Sequence, residues 1–216
     1  GVYGVPETFV VGKDGRIAQI DTAVQPTTAI TMEAWVYPDT TGTQTIFAKG
    51  PGITPVYSFL LSGSNNTLRA TINGTFVTAS HNIPFRQWTH VAFTYLASDS
   101  IYNFYVNGTH VKTGVWPVGA IPANTDSFTV GGGFALAGFR GYLDEVRVAK
   151  YVKTPEQIRQ FLYQSIEGSN EPNSGQTNVC YNLDGLLTDN CADGGPTLSF
   201  RGNARFTHPG GEFDMP

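Results

Sequence analysis

The chain has 216 residues, of which 14% are charged and 12% aromatic, with 25 glycines and 13 prolines. A net charge of −4 and so few basic residues exclude the clustered Lys and Arg surface that a phosphate backbone requires, so nucleic acid is not an expected partner. No apolar run approaches the roughly 20 residues of a membrane span. Few charges combined with many turn formers predict an all-β fold of short strands, long enough in total to bury one core.

Ile30 to Pro38 (ITMEAWVYP) alternates Ile30, Met32, Ala34 and Val36 against Trp35 and Tyr37, which predicts a strand at least partly covered on both faces. The segments TIFAKG, YSFLL and TLRATI follow, and Asn73-Gly74 joins TLRATI to TFVTAS. Gln87 to Tyr95 (QWTHVAFTY) is the next strong strand. Asn107-Gly108, between IYNFYV and THVKTG, is the clearest hairpin, because a type I′ turn needs positive φ at both central residues. SFTVGGG and GYLDEVRVA close the series.

The single predicted helix begins at Thr154 and runs to about 163. Thr154 can cap it, Pro155 suits the first helical position, and Gln157 stands where a capping-box partner belongs. Ile158, Phe161 and Leu162 give it an apolar stripe for packing on the sheet. Residues 165–178 form a polar Gly/Ser/Asn/Pro linker that reaches about 45 Å when extended. Strand-like residues return in the tail, 179–216. An ordered tail implies docking, either on its own domain or on a neighbouring molecule.

The only two cysteines, Cys180 and Cys191, are expected to close the YNLDGLLTDN loop as a disulfide in an oxidising compartment, with two buried thiols as the alternative. Asn65, Asn73 and Asn107 head glycosylation sequons, two of which (NGT) are equally hairpin turns. A start at Gly1 without Met or a signal segment predicts a mature or trimmed product, extracellular or at the cell surface.

Taken together, TTAITMEAWVYP, TIFAKG, WTHVAFTY, NFYVNGT and GYLDEVRVAKYVKTPEQI resemble the laminin G-like and pentraxin-like jelly rolls of the concanavalin A-like superfamily, from about Phe9 to Tyr163. The resemblance implies an antiparallel two-sheet jelly-roll sandwich over residues 1–164. FVVGKDGRIAQID resembles the second element of such domains. The first element, which should precede it, is similar instead to Tyr181–Phe206, after the helix. That order implies a sheet edge to be filled by the tail, with Val179, Tyr181, Leu183, Leu198, Phe200 and Phe206 as the donated apolar residues. A shorter likeness of VYGVPETFVVGKDGRI to thioredoxin-type oxidoreductases is set aside, since no CxxC is present.

Related laminarinase-type glycosidases carry an E-x-D-x-x-E strand, and the comparable spot here, Asp144-Glu145, has adjacent residues that cannot share one cleft face. No catalytic residue is therefore assigned. His81, His90, His110 and His208 show no ligand spacing. The superfamily often holds Ca²⁺ where its first and last strands meet, which implies Asp144, Asp184, Asp189 and Asp193 as ligands. Trp116, Tyr57, Phe134 and Phe139, in Gly/Pro-rich segments, are the candidate glycan platforms, whereas Trp35 and Trp88 match packing positions.

Two readings follow. The first is a non-catalytic structural subunit that donates its C-terminal strands to the next copy and grows head to tail as a homopolymer. The alternative is a Ca²⁺-dependent carbohydrate-binding or adhesion module, monomeric or part of a longer repeat protein.

Overall fold

The computed structural model describes residues 9–11, 16–19, 25–50, 54–132, 137–163, 177–181, 199–201 and 205–206. The strands are Phe9–Val11 (β1), Arg16–Gln19 (β2), Ala29–Pro38 (β3), Gln44–Lys49 (β4), Tyr57–Ser62 (β5), Thr67–Ile72 (β6), Thr75–Asn82 (β7) and Thr89–Leu96 (β8). Ile101–Val106 (β9), Thr109–Val115 (β10), Phe128–Val130 (β11) and Gly141–Ala149 (β12) precede the helix Pro155–Gln160 (α1). Thr177–Tyr181 (β13), Ser199–Arg201 (β14) and Arg205–Phe206 (β15) follow it.

Every ladder is antiparallel, and the strands form two packed sheets, as the alternation predicts. The first runs β10-β9-β8-β3-β12. The far edge of β12 is divided: β1 pairs with Gly141–Leu143, and β13 pairs with Val146–Ala149. β15 lies outside β1. The second sheet runs β14-β2-β11-β4-β5-β6-β7. All three tail strands thus pair within their own chain, β14 on β2 included. The strands expected to be donated to a neighbour dock in cis: Val179 opposite Val148, Tyr181 opposite Val146, Phe200 opposite Ile17 and Phe206 opposite Phe9. Leu183 and Leu198 lie outside the described residues.

The core lies between the sheets. Ile30, Met32, Ala34 and Val36 of β3 meet Phe47, Phe59, Phe93, Phe104 and Phe128 there. Apart from Ala34, each such side chain contributes roughly 1.5–3 kcal/mol by leaving water. The hairpin turns follow from their residues: Asn73 and Gly74 stand at φ 49° and 73°, Asn107 and Gly108 at φ 48° and 69°. At the sandwich rim, β7 and β10 end their respective sheets and touch, and Lys112 Nζ donates to the Thr78 carbonyl at 2.6 Å.

α1 begins as the sequence predicts. Gln157 N–H donates to Thr154 Oγ1 at 3.3 Å, and Thr154 N–H donates back to Gln157 Oε1 at 2.8 Å. Its regular turns stop at Gln160, short of 163, where the Phe161 and Leu162 carbonyls turn to side chains of the sheet.

Gly141, at φ +134°, lets β12 cross β3 at close range. A Cβ there would stand 2.0 Å from the Tyr37 carbonyl oxygen and 2.9 Å from the Asp39 nitrogen, and neither backbone atom can move aside cheaply. Gly141→Ala is therefore expected to cost more than about 2 kcal/mol in urea unfolding. An unchanged midpoint would show that the strands are not held this closely.

Candidate functional site

On β3, the residues that point away from the core are Thr31, Glu33, Trp35 and Tyr37. Register places Trp35 between His90 and Asp144, Glu33 between Ala92 and Arg147, and Tyr37 beside Tyr142. One end of this outer face is covered by α1, whose Ile158 packs on Ala92 and Tyr105. The other end carries aromatic rings.

Beneath the helix the face is polar, buried and charged. Lys153 Nζ donates to Glu33 Oε2 at 2.6 Å, both side chains being 1% exposed. Arg147 Nη2 donates to Glu145 Oε2 at 2.7 Å, and its Nη1 donates to the Phe161 carbonyl at 3.0 Å. Trp35 Nε1 donates to the Leu162 carbonyl at 2.9 Å. Two side chains thus take up carbonyls that the end of the helix leaves unpaired. His90 Nε2 lies 3.8 Å from Glu33 Oε1, and neither of its ring nitrogens has a hydrogen-bond partner. Burial pushes the His90 pKa down to about 4, overriding the attraction of Glu33, so the ring is neutral at pH 7. Burial alone would raise the Glu33 carboxyl, but Lys153, Arg147 and His90 together hold it below its ordinary value. Sequence reasoning missed Glu33 and Lys153. The available signal was a lone acid in the outward phase of an otherwise apolar central strand.

At the end that α1 does not reach, Tyr37, Trp88 and Tyr142 form a partly exposed three-ring cluster. Tyr37 stands 5.6 Å from Trp88 and 5.4 Å from Tyr142, and Trp88 and Tyr142 are 6.4 Å apart. Charged residues adjoin it along the chain, Asp39 two residues after Tyr37 and Arg86 two before Trp88. Arg86 Nε lies 3.6 Å from Asp39 Oδ1, and Arg86 N–H donates to the Pro38 carbonyl. An aromatic surface bordered by a guanidinium and a carboxylate can stack an apolar ring face while bonding its polar substituents.

The platform residues chosen from sequence do not form such a surface. Tyr57, Trp116 and Phe139 are core residues, 1%, 9% and 0% exposed. Tyr57 opens β5, whereas Trp116 and Phe139 fold inward from the sandwich ends to close the core, so apparent loop aromatics are packing residues. Phe134 lies outside the described residues. Asp144 is 2% exposed, and its Oδ1 accepts from the Glu145 N–H at 2.8 Å. The Glu145 carboxylate is taken by Arg147. Among the described residues, no three His, Cys, Asp or Glu side chains are grouped to hold a metal. Asp184, Asp189 and Asp193 lie outside those residues, though β13 brings Tyr181 opposite Val146, two residues from Asp144. Cys180 is buried on β13, and Cys191 lies outside the described residues. The sequon residues Asn65, Asn73 and Asn107 are exposed, and Asn107 Oδ1 accepts from the His90 N–H at 2.9 Å.

A family model described as the concanavalin A-like lectin/glucanases superfamily matches residues 12–159. Among solved structures, the chain is similar to a provisionally assigned carbohydrate-binding protein from Bacteroides ovatus, with a TM-score of 0.72 and 18% identity, over 94% of this chain and 60% of that one. The chain therefore spans 60% of that protein's length. It is similar to a heptameric SAP-like pentraxin from Limulus polyphemus, with a TM-score of 0.67 and 16% identity, over 94% of each chain. It is also similar to domain 4 of an extracellular arabinanase from Geobacillus stearothermophilus, solved with arabinotriose, with a TM-score of 0.51 and 23% identity, over 73% of this chain and 81% of that one. At these identities the likeness is one of fold. No curated protein matches the sequence.

The buried face makes stability depend on pH. Folded His90 stays neutral to about pH 4, while an unfolded imidazole titrates near 6.5. The unfolded state therefore binds the additional proton between those values, and stability falls as pH drops through that window, on the order of 3 kcal/mol. Protonation of Glu33 adds a further loss below it. His90→Gln should flatten the dependence between pH 6.5 and 4 in denaturant titrations. A wild-type slope that survives the substitution would place the proton elsewhere.

Proposed function

Because the chain belongs to the concanavalin A-like lectin/glucanases superfamily, we propose that it is a non-catalytic carbohydrate-binding module, extracellular or at the cell surface. The observation that carries the reading is the partly exposed cluster of Tyr37, Trp88 and Tyr142 beside Asp39 and Arg86. A pyranose presents an apolar C–H face and a rim of hydroxyls. Aromatic rings complement the first, and a carboxylate with a guanidinium complements the second. Likeness in fold to the Bacteroides ovatus and Geobacillus stearothermophilus proteins supports the same reading. The nearest approach to a carboxylate pair, Asp144 and Glu145, is engaged by a backbone N–H and by Arg147, which supports binding without hydrolysis.

Affinity electrophoresis against a panel of neutral polysaccharides tests it. Retention is expected for at least one. Tyr142→Ser should weaken that retention by about tenfold without abolishing cooperative unfolding. A panel with no retained polysaccharide would overturn the reading.

A calcium ion would deepen it. Asp144 is the one proposed ligand within the described residues, and Asp184, Asp189 or Asp193 would have to join it from the chain beyond β13. The expected result is a melting midpoint that falls on adding chelator and recovers with Ca²⁺. An unchanged midpoint would remove the ion. A Cys180–Cys191 disulfide would tie the same segment down, contributing under about 3 kcal/mol. Intact mass after alkylation without reductant should then show no modified thiol.

A second reading, strand exchange between copies, draws on β13, β14 and β15, which supply edge strands to both sheets. The same ladders could form between molecules, linking them as a homopolymer. Light scattering at high concentration decides this point, and a strictly monomeric chain would exclude it.

A further inference from the structure

The second sheet has an outward face of its own. Phe59, Leu61, Leu68, Ala70 and Ile72 point to the core. Alternation therefore places Ser58 and Leu60 of β5, with Arg69 and Thr71 of β6, on the opposite side. Register arranges that side in rows: Ser58, Thr71 and Phe76 in one, Thr45, Leu60, Arg69 and Thr78 in the next. Diagonally across them, the Arg69 guanidinium carbon stands 3.6 Å above the centre of the Phe76 ring, and Phe76 is 54% exposed.

Among the described residues Arg69 has no counter-charge. The ion pairs of the described residues engage Arg86, Arg147, Lys153 and Arg159, and none reaches Arg69. Its Nε is buried without a hydrogen-bond partner. The same holds for two hydroxyls of this face, Ser58 Oγ and Thr45 Oγ1, on residues that are 0% exposed. Desolvation alone lowers the Arg69 pKa from its ordinary value, with no carboxylate to restore it. Leaving the Arg69 Nε buried without a hydrogen-bond partner costs free energy. Contact with the Phe76 ring holds the guanidinium in place beside an apolar surface.

We propose that Arg69 and Phe76 form a second binding site, on the sheet opposite the aromatic cluster, for a carboxylate-bearing sugar. The guanidinium takes the carboxylate as a two-pronged ion pair. The exposed part of the Phe76 ring meets the apolar face of the sugar, and the half-buried Thr78 borders it. In its ligand class this inference rests on the carbohydrate-binding reading; in its location and its charge preference it is independent of that reading.

Isothermal titration of the full chain with trigalacturonic acid, 3′-sialyllactose and neutral lactose, alongside the neutral polysaccharide panel, tests the site. One or both acidic sugars should bind, showing whether the carboxylate belongs to a uronic or a sialic acid, and binding should weaken with added salt. Arg69→Gln should reduce acidic binding by roughly 10- to 100-fold, as expected for loss of a charged hydrogen-bonded pair. Arg69→Lys should restore only part of it, and neutral retention should not change. The Arg69→Gln melting midpoint should stay level or rise, whereas a structural arginine would lower it. Acidic sugars that bind wild type and Arg69→Gln alike, or fail to bind while neutral polysaccharides are retained, would overturn this site alone. Failure of every saccharide would overturn the carbohydrate reading with it.

Discussion

The left-handed backbone of Glu145, at φ 48°, sets the phase of β12 and through it the arrangement of the first sheet. Two residues, Glu145 and Val146, stand where regular pairing with β3 would allow one. Without that extra residue the alternation from Leu143 onward would carry Arg147 into the core and turn Val146 and Val148 outward. With it, both valines stay in the core and Arg147 joins Glu33 on the outer face. The same bulge lies where the far edge of β12 passes from β1 to β13, so strands from opposite ends of the chain share one neighbour.

Arg147, once turned outward, helps to make a very short helix stable. Six residues do not sustain an α-helix alone, because nucleation costs more than so few bonds return. The capping box secures one end of α1. Arg147 and Trp35 hold the carbonyls just past the other, and Ile158 buries against Ala92 and Tyr105. The ion pair of Lys153 with Glu33 ties the segment entering the helix to the centre of the sheet. Such a pair contributes little net stability over apolar residues of equal size, but breaking it by removing one partner costs several kcal/mol. It therefore fixes position more than it adds strength.

Much of this architecture was legible beforehand, because it rests on local rules. Alternation in β3, the two Asn-Gly turns and the Thr154 capping box each state their geometry within a few residues. The phase change at Glu145 was also written locally, in the three-residue step from Leu143 to Val146, though it is easily passed over. Burial that depends on distant segments was not legible. Tyr57, Trp116 and Phe139 sit among turn-forming residues, and nothing near them indicates that the ends of the sandwich close over their rings. Conversely, Trp88 matches a packing position in the sequence, yet its ring meets those of Tyr37 and Tyr142 at the end of the face away from α1. The stacking of Arg69 on Phe76 depends on β6–β7 register, which composition does not reveal.

The contact between Lys112 and the Thr78 carbonyl has a colloidal consequence. An open β-strand edge is a template on which other chains can stack, and β7 and β10 have no further partner among the described residues. A positive charge held against the main chain at that rim makes stacking costly, since an incoming strand would have to displace and dehydrate an ammonium group. The β-bulge in β10 between His110 and Lys112 adds a local twist that a flat aggregate cannot match. Edge-to-edge stacking at this rim is thereby disfavoured without recourse to a large net charge.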